Sequence, residues 1–547
     1  MVDRKNLTSR HGNKYIRQLR HLMTKRKFST WLPLLISLSM VAGMFVGFKL
    51  RDGMPGKSFF HTERRKPVNE LLQLIEDKYV DPVQGNALAD TAIHALLNSL
   101  DPHSVYIPAE LLQEVNDDIR GSFSGIGVEF NVFRDTMHVI QVIPGGPADR
   151  AGLLRGDKVV KADGKLLAGK KYPSDSIRKY LRGEAGSEVT LTVIRNQKSI
   201  DKTIRRGQIP MSSVDAAFMI NPQTGFIRLN RFSSKTYREF MLSLDSLVKA
   251  GMQSLVLDLR ENGGGVLDEA VEIADEFLEG DKLITYTEGR KFPRKEYRCR
   301  RNGLFEKGKL VVLADENTAS ASEVLLGALQ DWDRATIIGR RTFGKGLVQE
   351  QYNLSDQSAV RLTIARYYTP TGRSIQRPYE NGRQAYYEIH AQRPQMADSA
   401  AAADTGKVFQ TRSGKKIYAG GGISPDIWIP SDSLNLGEQV LKAVSRGLIN
   451  DAAYFWLIQH PGLDKKYASA KAFAADGTEN ASLRAGFIAM TLTDSIPISS
   501  LTEKETGFLD QRLKAAVTRL VWRNEGYFEV LALDDPAILK ALEILKK

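Results

Sequence analysis

A serine lies where an apolar segment passes through a turn into a helical pattern. Ser320 stands in the string Asn-Thr-Ala-Ser-Ala-Ser-Glu (317–323), between a predicted buried strand at 309–314 and a predicted helix at 322–330. The first N–H groups of a helix have no partner inside it, and together with the helix dipole they can stabilise a tetrahedral oxyanion. Ser320 is therefore a candidate nucleophile. The spacing from Ser320 to Glu323 also fits a capping box, which requires no chemistry, and this segment alone favours the cap over catalysis.

A second candidate lies 25 residues further on, where Lys345 sits between two glycines in Thr-Phe-Gly-Lys-Gly-Leu-Val-Gln (342–349). If its apolar neighbours bury it, the pKa of the amine falls, because burial disfavours the charged form. A free lysine, with a pKa of about 10.4, must lose about three units, or about 4 kcal/mol, to act as a base near neutral pH. On a strand, residues 345, 347 and 349 share a face, so Gln349 can hold the amine by a hydrogen bond without restoring its charge. This segment alone favours the alternative, a solvated loop lysine.

The sequence lacks the local marks of several other kinds of site. It contains no HExxH zinc motif, no GxSxG nucleophile elbow and no GxxxxGK[ST] phosphate loop. The glycines at 263–265 follow a predicted strand and precede a predicted helix, but without GxGxxG they indicate nucleotide binding only weakly. Cys299 is the only cysteine, which excludes a disulfide within the chain and a site with two thiolates. We expect no metal and no organic cofactor.

Length and composition are those of a globular protein with several domains. The chain has 547 residues, of which 42% are hydrophobic and 26% charged. At roughly 100–200 residues per domain, this length predicts three or four domains. The composition excludes a disordered chain, a fibre and a protein with many membrane spans.

The net charge of +13 is concentrated in two segments. Residues 1–30 hold nine Lys and Arg against one acid, and residues 288–301 hold seven against two, so the rest of the chain is neutral. A nucleic-acid-binding protein is expected to carry a basic face on a folded domain. We therefore expect no nucleic-acid partner, and we interpret 288–301 as a solvated loop in preference to a polyanion site.

An apolar segment follows the first basic segment. Residues 28–48 are 21 in a row without a charge, about 31 Å as a helix, which is enough to cross the hydrocarbon layer. The preceding basic residues favour a cytoplasmic N-terminus and a periplasmic remainder. A cleaved signal peptide is the alternative, although the run is long and no clear small-x-small cleavage site follows it. We predict a basic cytoplasmic tail at 1–27 and a single, uncleaved inner-membrane anchor at 28–50.

The rest of the chain divides by pattern into four regions. The pattern of residues 51–112 predicts a polar tether followed by helices. The pattern of residues 113–206 predicts short strands between glycine turns, with an alternating strand at 188–195 and a helix at 174–181. Residues 207–431 predict a mixed α/β region with buried strands at 254–259 and 309–314 and a helix at 267–278, interrupted by a low-complexity stretch at 397–404. Residues 432–547 have a helical pattern.

Several strings together resemble those of the carboxyl-terminal processing proteases, also called tail-specific proteases, a family of Ser–Lys enzymes. The matching strings are DPHSVYIP (101–108), SGIGVEF (124–130), DLRENGGG (258–265), ASASE (319–323), TFGKGLVQ (342–349) and, as the closing motif, GGGISPD (420–426). The resemblance spans roughly residues 68–431. It implies an α/β fold with a crotonase-like protease core at 207–431, an inserted PDZ domain at 113–206 and flanking helical regions.

The resemblance also implies roles for three matched side chains. Ser320 is the nucleophile that attacks a peptide carbonyl. Lys345 takes its proton and later gives that proton to the leaving amine. Gln349 orients Lys345.

Two backbone groups are implied to form the oxyanion hole. One is the N–H of Ala321, and the other is the N–H of a glycine in ENGGG, for which Gly264 is our choice among three adjacent glycines.

Residues 113–206 resemble a PDZ domain, whose carboxylate loop would be Gly125, Ile126, Gly127 and Val128. Glycines let successive N–H groups converge on a terminal carboxylate, and the peptide then adds as a strand. An ordinary tight turn is the alternative for Gly-x-Gly alone, but the following string GGPADRAGLLRGDKVVKADG (145–164) favours a PDZ domain. In the family such a domain selects tails and can gate the protease.

The leading hypothesis is a membrane-anchored serine endopeptidase that cleaves proteins near their C-termini, with the PDZ domain selecting the tails. Its expected partners are protein substrates with accessible C-terminal tails and the membrane through 28–50, with association between copies left open. The alternative is a PDZ-bearing receptor on the same fold that binds peptides without hydrolysis, against which the intact Ser320, Lys345 and Gln349 argue. A helical adaptor built on 432–547 is a third class that can coexist with catalysis.

Overall fold

The structure is a computed structural model that describes residues 31–49, 67–393, 407–431 and 436–546. The predicted basic tail at 1–27, the tether at 51–66 and the low-complexity stretch at 397–404 lie outside the described residues. The chain forms two compact units, Met1–Ala89 and Asp90–Lys547.

The first unit contains one long apolar helix. Helix α1, Trp31–Lys49, has 19 residues and a mean hydropathy of 1.9, and its side chains are exposed. Its length and composition are sufficient to cross a membrane, although a signal sequence passes the same test. Two shorter helices follow, α2 (Pro67–Lys78) and α3 (Gly85–Asn98), of which α3 continues into the second unit.

The second unit opens with strand β1 (Val105–Ile107) and helix α4 (Ala109–Arg120). Helix α4 runs across the boundary that we predicted between residues 112 and 113. Gly121 ends it in the left-handed conformation, with φ 66°, and donates from its N–H to carbonyls of the last turn. Glycine adopts this conformation without the steric cost that a side chain would add.

A small β domain follows α4. Its sheet has the order β3-β4-β5-β7-β8 with β6 beside β5, and a separate pair joins β2 to β9. Alternation in Glu188–Arg195 buries Val189, Leu191 and Val193, as the sequence predicts for a half-buried strand. The elements are β2 (Ser122–Gly125), β3 (Val128–Phe133), β4 (Thr136–Val142), α5 (Pro147–Arg150), β5 (Lys158–Ala162), β6 (Lys165–Leu166), α6 (Ser174–Leu181), β7 (Glu188–Arg195), β8 (Lys198–Arg205) and β9 (Gly207–Pro210).

The mixed α/β region is built on a six-stranded sheet of order β10-β11-β12-β15-β16-β21, parallel except for the first pair. Every residue of Ser254–Asp258 is buried, as expected for a strand covered on both faces. The elements of this sheet and its helices are β10 (Val214–Asn221), β11 (Thr224–Leu229), α7 (Thr236–Lys249), β12 (Ser254–Asp258), α8 (Leu267–Asp275), β15 (Lys309–Ala314), α9 (Ala321–Asp331), β16 (Thr336–Gly339) and β21 (Ile427–Trp428).

A second sheet, of order β1-β18-β13-β14 with β17 also on β18, lies in the same region. Its longest pair is β17 with β18, and one extra residue of β18, Ile364, interrupts their register opposite Val348 and Gln349. The remaining elements of the region are β13 (Leu283–Glu288), β14 (Lys295–Arg298), β17 (Leu347–Asn353), β18 (Ala359–Tyr368), α10 (Gly382–Gln392) and the pair β19 (Val408–Gln410) and β20 (Lys416–Tyr418).

The C-terminal region is helical, as predicted, and it is not a free-standing appendage. The last helix of this region, Pro536–Lys546, packs Ile538 and Ala541 against Val256 and Val311 on one face of the six-stranded sheet. Helices α7, α8 and α9 cover the other face of that sheet. The largest hydrophobic cluster of the C-terminal helices also contacts Phe133 of the small β domain. The helices are α11 (Glu438–Ser445), α12 (Leu448–Gln459), α13 (Leu463–Lys466), α14 (Ala470–Ala475), α15 (Asn480–Thr493), α16 (Glu503–Leu531) and α17 (Pro536–Lys546).

Candidate active site

Ser320 lies at the turn between strand β15 and helix α9, as the sequence predicts. Its backbone has φ 58° and ψ −117°, a conformation that L-residues rarely adopt and that concentrates at functional sites. Ala321 is the first residue of the helix, and its N–H has no hydrogen-bond acceptor among the described residues. A strained serine thus stands beside an unpaired backbone donor at the positive end of a helix.

Glu323 lies one turn further into α9 and is completely buried. Its carboxylate accepts from Ser320 N at 2.9 Å, which agrees with the capping interpretation of this spacing. The same carboxylate also accepts from Thr342 Oγ1 at 2.5 Å, Gly344 N at 2.7 Å and Lys345 N at 2.8 Å. Burial raises the pKa of Glu323, while these donors act in the opposite direction. The cap of the serine helix is therefore also the anchor of the lysine segment.

Lys345 and Ser320 line the same cavity, which has a volume of about 410 Å³. Burial, together with the positive charge of Arg361, lowers the pKa of Lys345, and Asp101 and Glu323 oppose this shift. Within the described ranges, the amine of Lys345 has neither an ion-pair partner nor a hydrogen bond. The alternative of a freely solvated loop lysine does not describe this environment, because desolvation is the largest influence on the amine.

Gln349 also lines the cavity, but its position differs from the simple strand pattern. Strand β17 begins at Leu347, after Lys345, so Lys345 lies outside the strand, and the consecutive residues Val348 and Gln349 both line the cavity. The Gln349 amide donates from Nε2 to the carbonyl oxygen of His103 at 2.6 Å. No hydrogen bond joins Gln349 to Lys345 among the described residues, so the predicted contact between them is not formed in this structure.

The three glycines of ENGGG line the cavity opposite Ser320. Gly264 lies closest to the serine, because a Cβ built on it would come within 2.8 Å of Ser320 Cβ and 2.6 Å of Ala319 O. Its N–H, however, donates to Asn262 Oδ1 at 2.9 Å. In this structure Gly264 is therefore a spacer beside the serine and its N–H is already used, contrary to our choice of it as the oxyanion donor. The N–H groups of Gly263 and Gly265 have no acceptor among the residues described.

Tyr367 joins the two segments from the side of strand β18. Its buried hydroxyl lies between the carbonyl oxygens of Ser320, at 3.0 Å, and Lys345. Burial raises the pKa of Tyr367 well above its ordinary value, so the phenol stays protonated and can donate. Neither Tyr367 nor Arg361 stands in a motif that points to chemistry, because only the pairing of β17 with β18 brings these two residues to the cavity.

Apolar side chains complete the wall of the cavity. Its lining includes Ile119, Val266, Leu267, Val324 and Leu347. The cavity therefore has an apolar wall beside Ser320 and Lys345.

The predicted carboxylate loop runs from Gly125, the last residue of β2, to Val128, the first residue of β3, so that Ile126 and Gly127 join the two strands. The carbonyl oxygens of Ile126 and Gly127 accept from Ala148 N at 2.8 Å and Ile143 N at 3.0 Å. The N–H groups of Ile126 and Gly127 have no acceptor in the described part of the chain. Strand β3 pairs only with β4 in its sheet, so its other edge is open to an added strand.

Two family models match this chain. "Peptidase family S41" matches residues 223–381, which contain Ser320, Lys345 and Gln349, and "PDZ domain" matches residues 124–205, which contain the glycine loop.

Curated relatives and a solved structure give consistent descriptions. A "Carboxy-terminal-processing protease" of Bartonella bacilliformis is 36% identical over 314 residues, covering 56% of this chain and 71% of the relative. A "Probable CtpA-like serine protease" of Staphylococcus saprophyticus is 31% identical over 356 residues, covering 64% of this chain and 71% of the relative. A solved "Photosystem II D1 C-terminal processing protease" is 27% identical, with a TM-score of 0.35, and the match covers 67% of this chain and 93% of that one. By its identity to relatives matched over most of their length, the chain belongs to the carboxy-terminal-processing proteases of peptidase family S41, and it carries a PDZ domain.

Proposed function

We propose that the protein is a membrane-anchored serine endopeptidase that cleaves proteins near their C-termini with a Ser320–Lys345 dyad. The observation that carries the proposal is that Ser320 and a desolvated Lys345 without a charge partner line one cavity, joined through Glu323. We also propose the crotonase-like class for the core and the domains predicted from the sequence, with the start of the PDZ domain moved past helix α4, which ends at Arg120.

The proposed reaction uses the neutral amine as the base. As Ser320 Oγ forms a bond to the substrate carbonyl carbon, Lys345 Nζ accepts the hydroxyl proton. Collapse of the tetrahedral intermediate breaks the C–N bond, and Nζ returns the proton to the leaving amine. Water then attacks the acyl-enzyme with Nζ again accepting a proton, and Oγ–H is regenerated. An acidic partner would favour the charged ammonium form of the lysine, so a lysine that acts as a base works without one.

The oxyanion hole is proposed to use Ala321 N–H and a second backbone donor. Gly264 N–H is bound to Asn262, so the unpaired N–H of Gly263 or Gly265 is the better candidate for that donor. Two such donors stabilise the developing negative charge on the substrate oxygen more than they stabilise the neutral carbonyl.

The PDZ domain is proposed to hold the C-terminal tail of the substrate. The unpaired N–H groups of Ile126 and Gly127 would bind the terminal carboxylate, with Gly125 and Val128 shaping the loop. The tail would then add as a strand to the open edge of β3.

The membrane assignment is supported by helix α1 and by the nine basic residues in 1–30. We propose a single uncleaved span in the inner membrane with the catalytic part in the periplasm. We expect the protein to stay in the membrane pellet after extraction at alkaline pH. Mass spectrometry of that protein should show an intact N-terminus. A mature N-terminus after the apolar segment would assign α1 to a signal peptide.

The function is tested with the purified full chain in detergent and a peptide that ends in apolar residues. Wild type should cleave the peptide, and Ser320→Ala should bind it with unchanged affinity but cleave none. Equal cleavage by the two proteins would refute the dyad, and binding without cleavage by both would favour the PDZ-bearing receptor.

A further inference from the structure

The string DPHSVYIP contains a turn that the proposed mechanism leaves without a role. Asp101, 7% exposed, accepts at Oδ1 from the N–H groups of His103 and Ser104, both at 2.8 Å, and at Oδ2 from Ser104 Oγ at 2.6 Å. These bonds fix the Asp101–Ser104 segment, here called the aspartate turn. A buried carboxylate that accepts several N–H and O–H donors holds a turn in one conformation.

The aspartate turn reaches the cavity through one backbone group. The carbonyl oxygen of His103 accepts from Gln349 Nε2 at 2.6 Å. A carbonyl oxygen can only accept, so this bond decides which end of the amide faces the turn. The other end, Oε1, is left as an acceptor, and Gln349 and Lys345 line the same cavity. The orientation that the turn imposes is the one suited to receiving a hydrogen bond from the Lys345 amine.

The aspartate turn is also hydrogen-bonded to strand β18, two residues of which, Arg361 and Tyr367, line the cavity. Ser104 Oγ accepts from Thr363 N at 3.2 Å, and Thr363 is the register partner of Gln349 in the β17–β18 ladder. Immediately after the turn, Val105 pairs with Arg361. The turn and Gln349 are thus held by the same stretch of β18.

The imidazole of His103 contacts aromatic side chains near Lys345, and it is uncharged. Its Nε2 lies 3.0 Å from the hydroxyl of Tyr386, and its ring lies 5.9 Å from that of Phe343, which is two residues before Lys345 in the sequence. Burial lowers the pKa of His103 to about 3, so the ring is neutral.

We propose that the aspartate turn is a positioning element for the lysine base, in which Asp101 acts through the His103 carbonyl to hold Gln349 with Oε1 available to Lys345. This rests on the proposed function, because it assigns to Asp101 a part in setting the geometry of Lys345. Asp101 is a positioning residue, since it does not contact the reacting atoms.

The test is a double-mutant cycle on peptide cleavage by the full chain. Asp101→Ala should lower kcat by about 10- to 100-fold, as loss of an outer-shell partner typically does, with KM changed less than about twofold. Asp101→Asn keeps an acceptor at Oδ1 and should retain most of the activity. In the Gln349→Ala background, Asp101→Ala should lower kcat by less than about twofold, because the residue it acts through is absent.

Asp476→Ala is the matched control, since Asp476 accepts from Thr478 N at 2.9 Å in a turn of the helical region and should leave kcat unchanged. If Asp101→Ala melts below the assay temperature, Ser104→Ala replaces it in the same cycle. That change removes the hydroxyl's bonds to Asp101 Oδ2 and Thr363 N and keeps the bond from the backbone N–H of residue 104 to Asp101 Oδ1. Equal losses of kcat in the two backgrounds, an effect confined to KM, or unchanged kcat would overturn the positioning role. Cleavage by Ser320→Ala in the same assay would instead refute the proposed function, so the two failures are distinct.

Discussion

The backbone N–H groups of Ser320 and Lys345 donate to the same atom, Oε2 of Glu323, at 2.9 and 2.8 Å. The two residues are 25 positions apart in the chain. Their main chains are nevertheless held together by one buried carboxylate. A displacement of either segment changes the distance between hydroxyl and amine, and reactions of this kind depend steeply on that distance.

Glu323→Gln should therefore damage both activity and stability. The amide has only one acceptor oxygen, so some of the four donors now facing the carboxylate would lose their partner and others would face an NH₂ group. We expect a loss of about 2–4 kcal/mol in the free energy of unfolding and a loss of about 10²-fold in kcat/KM. Denaturant unfolding and peptide cleavage measure these, with the exposed Glu503→Gln as control. Wild-type values for Glu323→Gln would show that the shared carboxylate does not hold the site.

Gly264→Ala should abolish cleavage by crowding the serine. The added Cβ would approach Ala319 O, Ala321 N and Ser320 Cβ within 2.8 Å, and the residue has φ +91°. We expect kcat to fall by at least about 10²-fold, because the proposed oxyanion donor, Ala321 N–H, and the proposed nucleophile, Ser320, must both shift.

The neighbouring Gly263→Ala is a control for the Gly264 prediction, since its Cβ would meet nothing within 4 Å. It should unfold at the wild-type temperature, whereas Gly264→Ala should unfold at a lower one. Equal thermal midpoints and equal activities for the two variants would contradict the close packing of Gly264 on the serine.

Lys345→Met should be inactive yet more stable than wild type at neutral pH. The pKa of Lys345 is lower in the folded protein than its ordinary value, so the unfolded chain binds the proton more tightly. As the pH falls below the ordinary lysine pKa, this difference lowers the free energy of unfolding, and the loss reaches its full size below the lowered pKa of the folded protein. The methionine side chain does not bind a proton, so the variant does not suffer this loss. Thermal unfolding at pH 7 measures the change, with the exposed Lys504→Met as control, and a lower midpoint for Lys345→Met would contradict the burial.

Arg361→Gln should move the activity profile to higher pH. The guanidinium of Arg361 is one of the groups that lower the pKa of Lys345. Removing it raises the pKa of the base, so a higher pH is needed to deprotonate the amine. The pH dependence of kcat/KM checks this, with Arg366→Gln, an exposed change on the same strand, as control. If the profile moved to lower pH instead, the charge of Arg361 would not be a cause of the lowered pKa of Lys345.

Much of this arrangement follows from local sequence. Strands Glu188–Arg195 and Lys309–Ala314 and helix Ser174–Leu181 have the predicted bounds, because their alternating, apolar or helical patterns are uninterrupted. Helix α8 ends at Asp275, three residues before the predicted end, because the following residues form a turn. Taken one at a time, the segments around Ser320 and Lys345 favour a helix cap and a solvated lysine, and only the matching strings taken together single out both residues.

The contacts that position these residues could not be predicted in the same way. The bond from Gln349 to His103 joins residues 246 positions apart. The extra residue in β18 becomes visible only when that strand pairs with β17. The occupied N–H of Gly264 depends on how the Asn262 side chain turns, which adjacent, identical glycines do not reveal.

The most direct measurement of the central claim is the rate at which a serine-directed phosphonofluoridate modifies Ser320 in the full chain as a function of pH, read by intact mass. The account predicts a rate that rises with an apparent pKa below that of free lysine, and no appreciable modification of Lys345→Ala over the same period. An apparent pKa near that of free lysine, or equal modification of Lys345→Ala and wild type, would contradict it.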